Sequence, residues 1–326
     1  MTQRSVLFIG GTGVISSACV DLAQRRGWEV SVLNRGSSTR HPLPAGVESL
    51  LADARDPASV TDALGTREFD VVADFVAFTP DQVRADIDRF EGRTGQYVFI
   101  SSASAYQTPP QTLPVVESAT LRNPFWAYSR EKIACENVLV DAWRERAFPA
   151  TIVRPSHTYD RTMLPFDGGY TAFKRLLDGR PIIVHGDGTS LWTLTHNTDF
   201  AKGFVGLLGQ PAALGEAYHV TSDEWLTWDA ITRMVASAAG VEPRIVHVPS
   251  DAVAALDAGW GASLLGDKAH SMVFDNSKVR RLVPDFTCTV PFAQGAREVA
   301  DFHLAHPGEV NPVIESVIDT LVGRFG

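Results

Sequence analysis

The chain has only three cysteines, Cys19, Cys135 and Cys288, and they lie far apart. Their odd number excludes a full disulfide framework, their spacing fits no metal-ligand pattern, and no metal is assigned. All three read as small, buried apolar residues. No apolar run is long enough to span a bilayer. The run near the start, Val6 to Ile9, is too short for a signal-peptide core, and no cleavage region follows it. These absences predict a cytoplasmic protein that makes no use of a membrane. Positive charge is also scarce. With 29 Lys and Arg against 38 Asp and Glu, the net charge is −9 and the pI near 5.5. That balance argues against nucleic acid as a partner, because phosphate backbones need clustered cations, though a locally positive pocket can still hold an anionic small molecule. Repeats and low-complexity tracts are missing as well.

What is present is a regular alternation. Val6-Leu7-Phe8-Ile9 is a continuous apolar run, as in a strand buried on both faces. A glycine turn follows, then a helix from Ser16 to Arg26 with Gly27 at its C-terminal end. Further strands are expected at Val30–Leu33, Leu50–Leu51, Val71–Val76, Tyr97–Ile100 and Ala150–Val153, with helices near 58–64, 81–90 and 125–146. Repeated β–α units imply right-handed crossovers and a doubly wound parallel α/β sheet, with ligands beyond the carboxyl ends of its strands. After Asp160 the pattern loosens into short elements. Residues 1–180 are expected to form the dinucleotide-binding domain, joined by a returning strand near 216–222. Residues 181–326 are expected to form a smaller α/β substrate-binding domain.

The residues just beyond the strands carry the chemistry. Gly10-Gly11-Thr12-Gly13-Val14-Ile15-Ser16 is a Gly-x-x-Gly-x-x-Ser turn between a buried strand and a helix. It suits a pyrophosphate seated on a helix N-terminus, with Ser16 where a third glycine is usual. The second strand ends in Asn34-Arg35-Gly36 rather than in the Asp or Glu that accepts from an NAD ribose. Arg35 can pair with a 2′-phosphate, and Ser37, Ser38 and Arg40 add donors, so the pattern favours NADP over NAD. Asp53 stands after the third strand, as an adenine contact or as a turn cap. Tyr128 and Lys132 are four apart on a predicted helix and share one face. A free tyrosine titrates near about 10, so proton exchange near neutrality requires a drop of about 3, or about 4 kcal/mol. A neighbouring ammonium and an oxidised nicotinamide supply positive charge for that. Ser102 can orient the substrate oxygen.

These stretches, with Ala52 to Asp56, Ser101 to Tyr106, Arg154-Pro155, and Gly186-Asp187-Gly188 through His196 and Asp199, resemble the extended short-chain dehydrogenases/reductases of the NAD-dependent epimerase/dehydratase family. The likeness covers about two-thirds of the chain. It implies a Rossmann sheet, a C-terminal substrate domain, a homodimer formed through the helix bearing Tyr128, and a Ser102, Tyr128 and Lys132 catalytic triad. Gly10, Gly13, Arg35, Asp53 and Pro155 carry over as cofactor contacts. Position adds Thr12, Val14, Ile15, Asn34, Ala54, Ala77, Ser101, Lys132 and His157 to that set. Phe78, Ser104, His157 and Trp192 are candidate substrate contacts.

Departures from the family pattern concern the substrate. Ser102-Ala103-Ser104 stands where sugar-nucleotide 4,6-dehydratases carry Thr-Asp-Glu, so water elimination lacks its acid and base. Trp192 stands where an arginine usually grips a nucleotide diphosphate, unless Lys174, Arg175 or Lys268 substitutes. The function expected is NAD(P)-dependent oxidation, reduction or epimerisation at a secondary hydroxyl or ketone of a small molecule. A sugar or sugar nucleotide is the first choice, and NADPH-dependent reduction of a non-nucleotide ketone the alternative. Asn34-Arg35-Gly36 and Phe69 to Tyr106 are also similar to plastid RNA-binding relatives. The negative charge and the Tyr128–Lys132 pair count against that reading.

Overall fold

The computed structural model describes residues 4–37 and 40–326. Ser38, expected among the donors near Arg35, lies outside the described residues. The strands are β1 (Ser5–Ile9), β2 (Glu29–Asn34), β3 (Glu48–Leu51), β4 (Val71–Asp74), β5 (Tyr97–Ile100), β6 (Ala150–Pro155) and β7 (His157–Tyr159), followed by β8 (Ile182–His185), β9 (Leu191–Trp192), β10 (Leu194–His196), β11 (Ala217–Val220), β12 (Leu226–Thr227) and β13 (Ile245–Val248). Seven of them form one parallel sheet in the order β11-β6-β5-β4-β1-β2-β3. This is the doubly wound Rossmann sheet, and the returning strand at Tyr218 pairs with β6 as expected.

The chain first winds outward through β2 and β3, then crosses back to β4 beside β1. That reversal opens a crevice at the carboxyl ends of β1 and β4, where such sheets bind ligands. Both faces are covered, which is why β1 and β4 read as unbroken apolar runs. One face carries α1 (Val14–Arg25), whose Cys19 and Val20 share a core with Phe200 and Phe204. The other carries α2 (Pro57–Leu64), α3 (Pro80–Phe90) and α4 (Ala127–Arg146).

The remaining helices are α5 (Gly169–Leu177), α6 (Asn197–Leu207), α7 (Trp228–Ala238), α8 (Ser250–Leu256), α9 (Ala258–Ser263), α10 (Ser277–Leu282), α11 (Phe292–Ala305) and α12 (Pro312–Phe325). A second core gathers Phe173, Trp192, Trp228, Ile231 and Val299 around three two-stranded pairs, β10-β7, β12-β9 and β13-β8. These two apolar clusters interleave along the chain. Phe173 and Leu176 of α5 already belong to the second, as do Tyr106 and Val115, whereas Phe200 of α6 and Val279 of α10 belong to the first. The reason is topological: the chain must return to the main sheet to place β11, and α6 packs beneath it on the way. No helix among the described residues is long and apolar enough to cross a membrane.

Two boundaries differ from expectation for local reasons. The strand expected to reach Val76 stops at Asp74, because the Asp74 carboxylate accepts from the backbone N–H of Val76 at 2.6 Å and of Ala77 at 2.9 Å and turns the chain. The helix expected from Phe125 begins at Ala127. Asn123 Oδ1 takes the N–H groups of Phe125 and Trp126, holding that segment in a turn.

The carboxyl edge of the sheet is braced by a buried ion pair. Arg154 of β6 makes a two-pronged contact with Glu136 of α4, at 2.9 and 2.5 Å, and both residues are almost fully excluded from solvent. Arg154 also donates to Tyr106 Oη at 3.0 Å, and Ser101 Oγ donates to Glu136 at 2.5 Å. Removing one partner leaves the other charge buried without compensation. Glu136→Ala is therefore expected to destabilise the fold by about 3–5 kcal/mol, read as a lower urea midpoint with an unchanged slope. A loss below about 1 kcal/mol is what an exposed pair would give and would show that the brace does not hold the edge.

Candidate active site

The crevice is a cleft of about 430 Å³ that receives Gly10, Thr12, Gly13, Asn34, Arg35, Asp53 and Ala54, together with Phe78 and Gln82. Gly10 has φ +84°, and a Cβ there would sit 2.4 Å from Val76 Cγ1, so the turn admits no side chain. No side chain caps α1, which leaves the N–H groups of its first turn, at Val14 and Ile15, available to an anion. Ser16 does more than replace a glycine. Its Oγ accepts from Gly13 N at 2.8 Å and donates to the Gly10 carbonyl at 2.7 Å, tying the turn together. These features fit a dinucleotide. At its far end Asn34 Oδ1 accepts from Gly36 N at 2.7 Å, which leaves Arg35 exposed at the rim of the cleft. Asp53 is clamped by Arg55 through two side-chain contacts of 3.1 and 2.9 Å, which hold its carboxyl down to about 2.

Lys132 is almost fully buried. Its Nζ donates to the carbonyls of Ala77 and Ile100, each at 2.7 Å, and lies 4.5 Å from the Phe78 ring centre and 4.7 Å from that of Phe99. Burial brings its ammonium down to about 8, against the pull of nearby Asp74. Four residues earlier, Tyr128 stands with its ring centre 5.9 Å from Nζ. The phenol is shifted upward by burial, with Ser102 pulling it back and Asp267 adding to the rise. The downward shift expected from Lys132 is therefore not found in the protein alone. The ammonium is turned to two carbonyls rather than to the phenol, so a lowered phenol requires a further positive charge beside it.

Beyond Tyr128 a second cavity of about 300 Å³ is lined by Ser102, Ser104, Pro155, His157 and Trp192, with Asp267 and Lys268. Ser104 Oγ lies 2.9 Å from Ser102 Oγ and accepts from Ser129 Oγ at 2.7 Å, so the serine pair is held in place from behind. His157 lines this cavity and not the dinucleotide cleft. Its Nε2 has no partner among the described residues, and burial brings the ring down to about 4, so it is neutral at pH 7. Trp192 lies 5.6 Å, centre to centre, from Trp228 and is 4% exposed, a core residue that also forms cavity wall.

Phe78, expected to meet substrate, lines the dinucleotide cleft, with its ring 6.3 Å from that of Tyr128 and its place set by the turn after Asp74. The hydroxyl of Ser101, expected at the cofactor, is turned inward to Glu136. Lys174 is paired with Asp178, and Arg175 is buried against Pro181 and Asp319, so neither reaches the substrate cavity. Lys268 does reach it.

Three residues escaped the sequence reading. Asp74 fixes the Ala77 turn whose carbonyl holds Lys132, and its second oxygen accepts from Tyr97 Oη at 3.2 Å. Its place at a strand end was the available signal. His41 links the phosphate turn to the substrate side, with Nδ1 3.3 Å from the Thr12 carbonyl and Nε2 2.6 Å from Asp160. Asp267 lies far along the chain in a short helical turn that no periodicity announces. No group of three or more metal-ligating side chains is found among the described residues.

The sequence model of the NAD dependent epimerase/dehydratase family matches residues 6–221. The chain is 27% identical over 293 residues to 2'-dehydrokanamycin reductase of Streptomyces kanamyceticus, covering 86% of this chain and 79% of that one. It is 26% identical over 260 residues to chloroplast stem-loop binding protein of 41 kDa b of Arabidopsis thaliana, covering 76% and 66%. The solved structure of the epimerase Mth375 from Methanothermobacter thermautotrophicus shares the fold, with a TM-score of 0.76 at 17% identity over 96% and 95% of the two chains. The chain belongs to the NAD dependent epimerase/dehydratase family, and is an NAD(P)-dependent enzyme of the extended short-chain dehydrogenase/reductase type.

Proposed function

We propose that this enzyme reduces a ketone of a small, non-nucleotide molecule with NADPH, using Tyr128, Ser102 and Lys132. The observation that carries this reading is the wall of the 300 Å³ cavity, which contains no guanidinium and one ammonium, Lys268, lying 3.8 Å from Asp167. A nucleotide diphosphate needs charge-assisted donors free to meet it, and that wall offers little. The likeness to 2'-dehydrokanamycin reductase, a protein named for reduction, points the same way.

A dinucleotide held at the Gly10–Gly13 turn and the N-terminus of α1 would supply the hydride. The protein's own groups manage the oxygen. Ser102 Oγ donates to the substrate carbonyl and orients it. Tyr128 gives its proton to that oxygen as negative charge develops there. Because burial raises the phenol, it remains protonated across the neutral range, the state a proton donor needs for reduction. Lys132, fixed between two carbonyls, keeps a positive charge behind the phenol and would hold the nicotinamide ribose. At the other end of the cleft, Asn34 stands where an acid would accept from an unphosphorylated ribose, and Arg35 follows it, which supports NADPH over NADH.

Epimerisation through tightly held cofactor is the second reading, and membership of the family favours it. The likeness to the stem-loop binding protein favours an RNA-binding reading only weakly, given a net charge of −9.

Tyr128→Phe removes the donated proton and leaves the ring. It is expected to lower kcat for ketone reduction by about 10²–10⁴-fold with little change in NADPH affinity by fluorescence titration. Full activity in that variant would remove the phenol from the mechanism. Arg35→Asp is expected to weaken NADPH binding by about 10–100-fold and NADH binding far less. Equal weakening of both would eliminate the 2′-phosphate assignment.

A further inference from the structure

One carboxylate in the substrate cavity has no role in the steps above. Asp267 lies in a π-helical turn, Leu264–Lys268, and lines the cavity with Tyr128 and Ser102 while remaining partly exposed to it. Turns of this kind recur at functional sites. The backbone on either side of it is pinned. Asn123 Nδ2 donates to the Gly266 carbonyl at 2.5 Å and to the Ser104 carbonyl at 2.9 Å. The Lys268 carbonyl lies 3.0 Å from His185 Nε2 and accepts from Ser190 Oγ at 3.2 Å. Gly266 is pressed so closely on the approach to α4 that a Cβ would stand 2.8 Å from Trp126 Cβ. The turn is thus fastened to the serine loop and the helix that carry the catalytic groups, and the Asp267 side chain projects from a fixed frame.

That side chain has no hydrogen-bond or ion-pair partner among the described residues. The nearest cation in sequence, Lys268, is directed instead toward Asp167, 3.8 Å away, and over the Trp126 ring at 5.9 Å. The charged and titratable groups around the carboxylate are Lys268 on its own turn, Asp167 before α5, Tyr128 on α4 and His157 on β7. Tyr128 and His157 are uncharged at pH 7. Once Asp267 is ionised, it and Asp167 share the single ammonium of Lys268, and this end of the cavity is then short of one positive charge. A partly desolvated carboxylate without a partner is costly, and a ligand that brings a cation removes that cost.

We propose that Asp267 is an ammonium-binding residue, and that the substrate is a small carbonyl compound carrying a primary amine a few atoms from the carbon that is reduced. The proposal rests on the reductase reading for the identity of the site and adds the substrate class to it. A neutral hydroxyl would satisfy the hydrogen bond but leave the charge deficit. An anionic substituent would meet the deficit with the wrong sign.

The acid–base behaviour of the empty site gives the sign of a pH test. Burial and Asp167 raise the Asp267 carboxyl to about 7, with Lys268 opposing. Below that value the group is largely neutral and attracts an ammonium weakly. Above it the carboxylate is ionised, while an alkylammonium with a pKa near ~10 stays charged. Binding of an amine should therefore tighten as the pH rises from 6 to 8, with release of a proton, and binding of a neutral analogue should not change.

The test compares trans-4-aminocyclohexanol with trans-cyclohexane-1,4-diol by isothermal titration calorimetry on the full protein saturated with NADPH, so that neither alcohol can be oxidised. The amine is expected to bind about tenfold more tightly at pH 7.5, a difference of about 1.4 kcal/mol. The preference should shrink at pH 6 and vanish in Asp267→Asn, a near-isosteric variant whose NADPH affinity reports an intact fold. Equal affinities for the two probes, including no measurable binding of either, overturn the proposal, as does a preference that survives in Asp267→Asn. The underlying reading fails separately. An amine preference in a protein whose ketone reduction is indifferent to Tyr128→Phe leaves the subsite standing and removes the mechanism. Reduction that depends on Tyr128 but shows no amine preference does the reverse.

Discussion

Everything at the site hangs on one buried ammonium. Lys132 is 1% exposed, far from any bulk water that would solvate its charge, and it is held by the carbonyls of Ala77 and Ile100. Ala77 lies in the turn just after β4 and Ile100 ends β5, two neighbouring strands. A buried charge tolerates little displacement from its acceptors, so the contact fixes both the rotation and the height of α4 against the sheet. One helical turn earlier the same rotation sets Tyr128 between the dinucleotide cleft and the substrate cavity. Asp74 secures the arrangement from below, gripping the Ala77 N–H and contributing negative charge to the surroundings of Lys132.

The rest of the carboxyl edge follows the same logic of polar groups fastening neighbouring elements. Glu136 lies one turn beyond Lys132, and its carboxylate collects Arg154 from β6 and Ser101 from the end of β5. Lys132 and Glu136 thus anchor one helix to three successive strands from the same face. The apolar packing of the sheet sets its general shape, because hydrophobic contact is not directional. The polar contacts choose one register among those the packing permits. The proton donation proposed for Tyr128 would make the same demand, since a donor misplaced by an ångström loses much of its effect.

Most of the sheet was legible from the sequence because its strands are buried on both faces and read as apolar runs, and its helices carry clear periodicity. The glycine turn and the Tyr128–Lys132 spacing were legible for a similar reason: each is a local pattern with a local cause. The small pairs β10-β7, β12-β9 and β13-β8 were not, because two to four residues paired with distant partners leave no periodic signature. The same holds for the site residues that were missed. His41, 119 positions before its partner Asp160, and Asp267, more than 130 beyond Tyr128, are brought to the site by tertiary folding alone. Phe78 lines the cleft with the glycine turn, a placement set by the Asp74 turn, which a strand pattern does not reveal.

The two cavities on either side of Tyr128 are opposite in electrical character. The dinucleotide cleft offers an uncapped helix N-terminus and exposed Arg35, with Arg55 already partly neutralised by Asp53. The substrate cavity offers Asp267, with Lys268 lying near Asp167 and His157 held neutral. The first would draw an anionic ligand, and the second would give such a ligand nothing. In an acidic protein of this kind the field inside a cleft need not follow the overall charge, because a few fixed groups in a region of low dielectric outweigh many solvated ones. Trp192 completes the division. Where a guanidinium would have extended the positive region across the active site, an indole packed on Trp228 leaves an uncharged wall, and the charge of Asp267 is felt by whatever occupies the cavity.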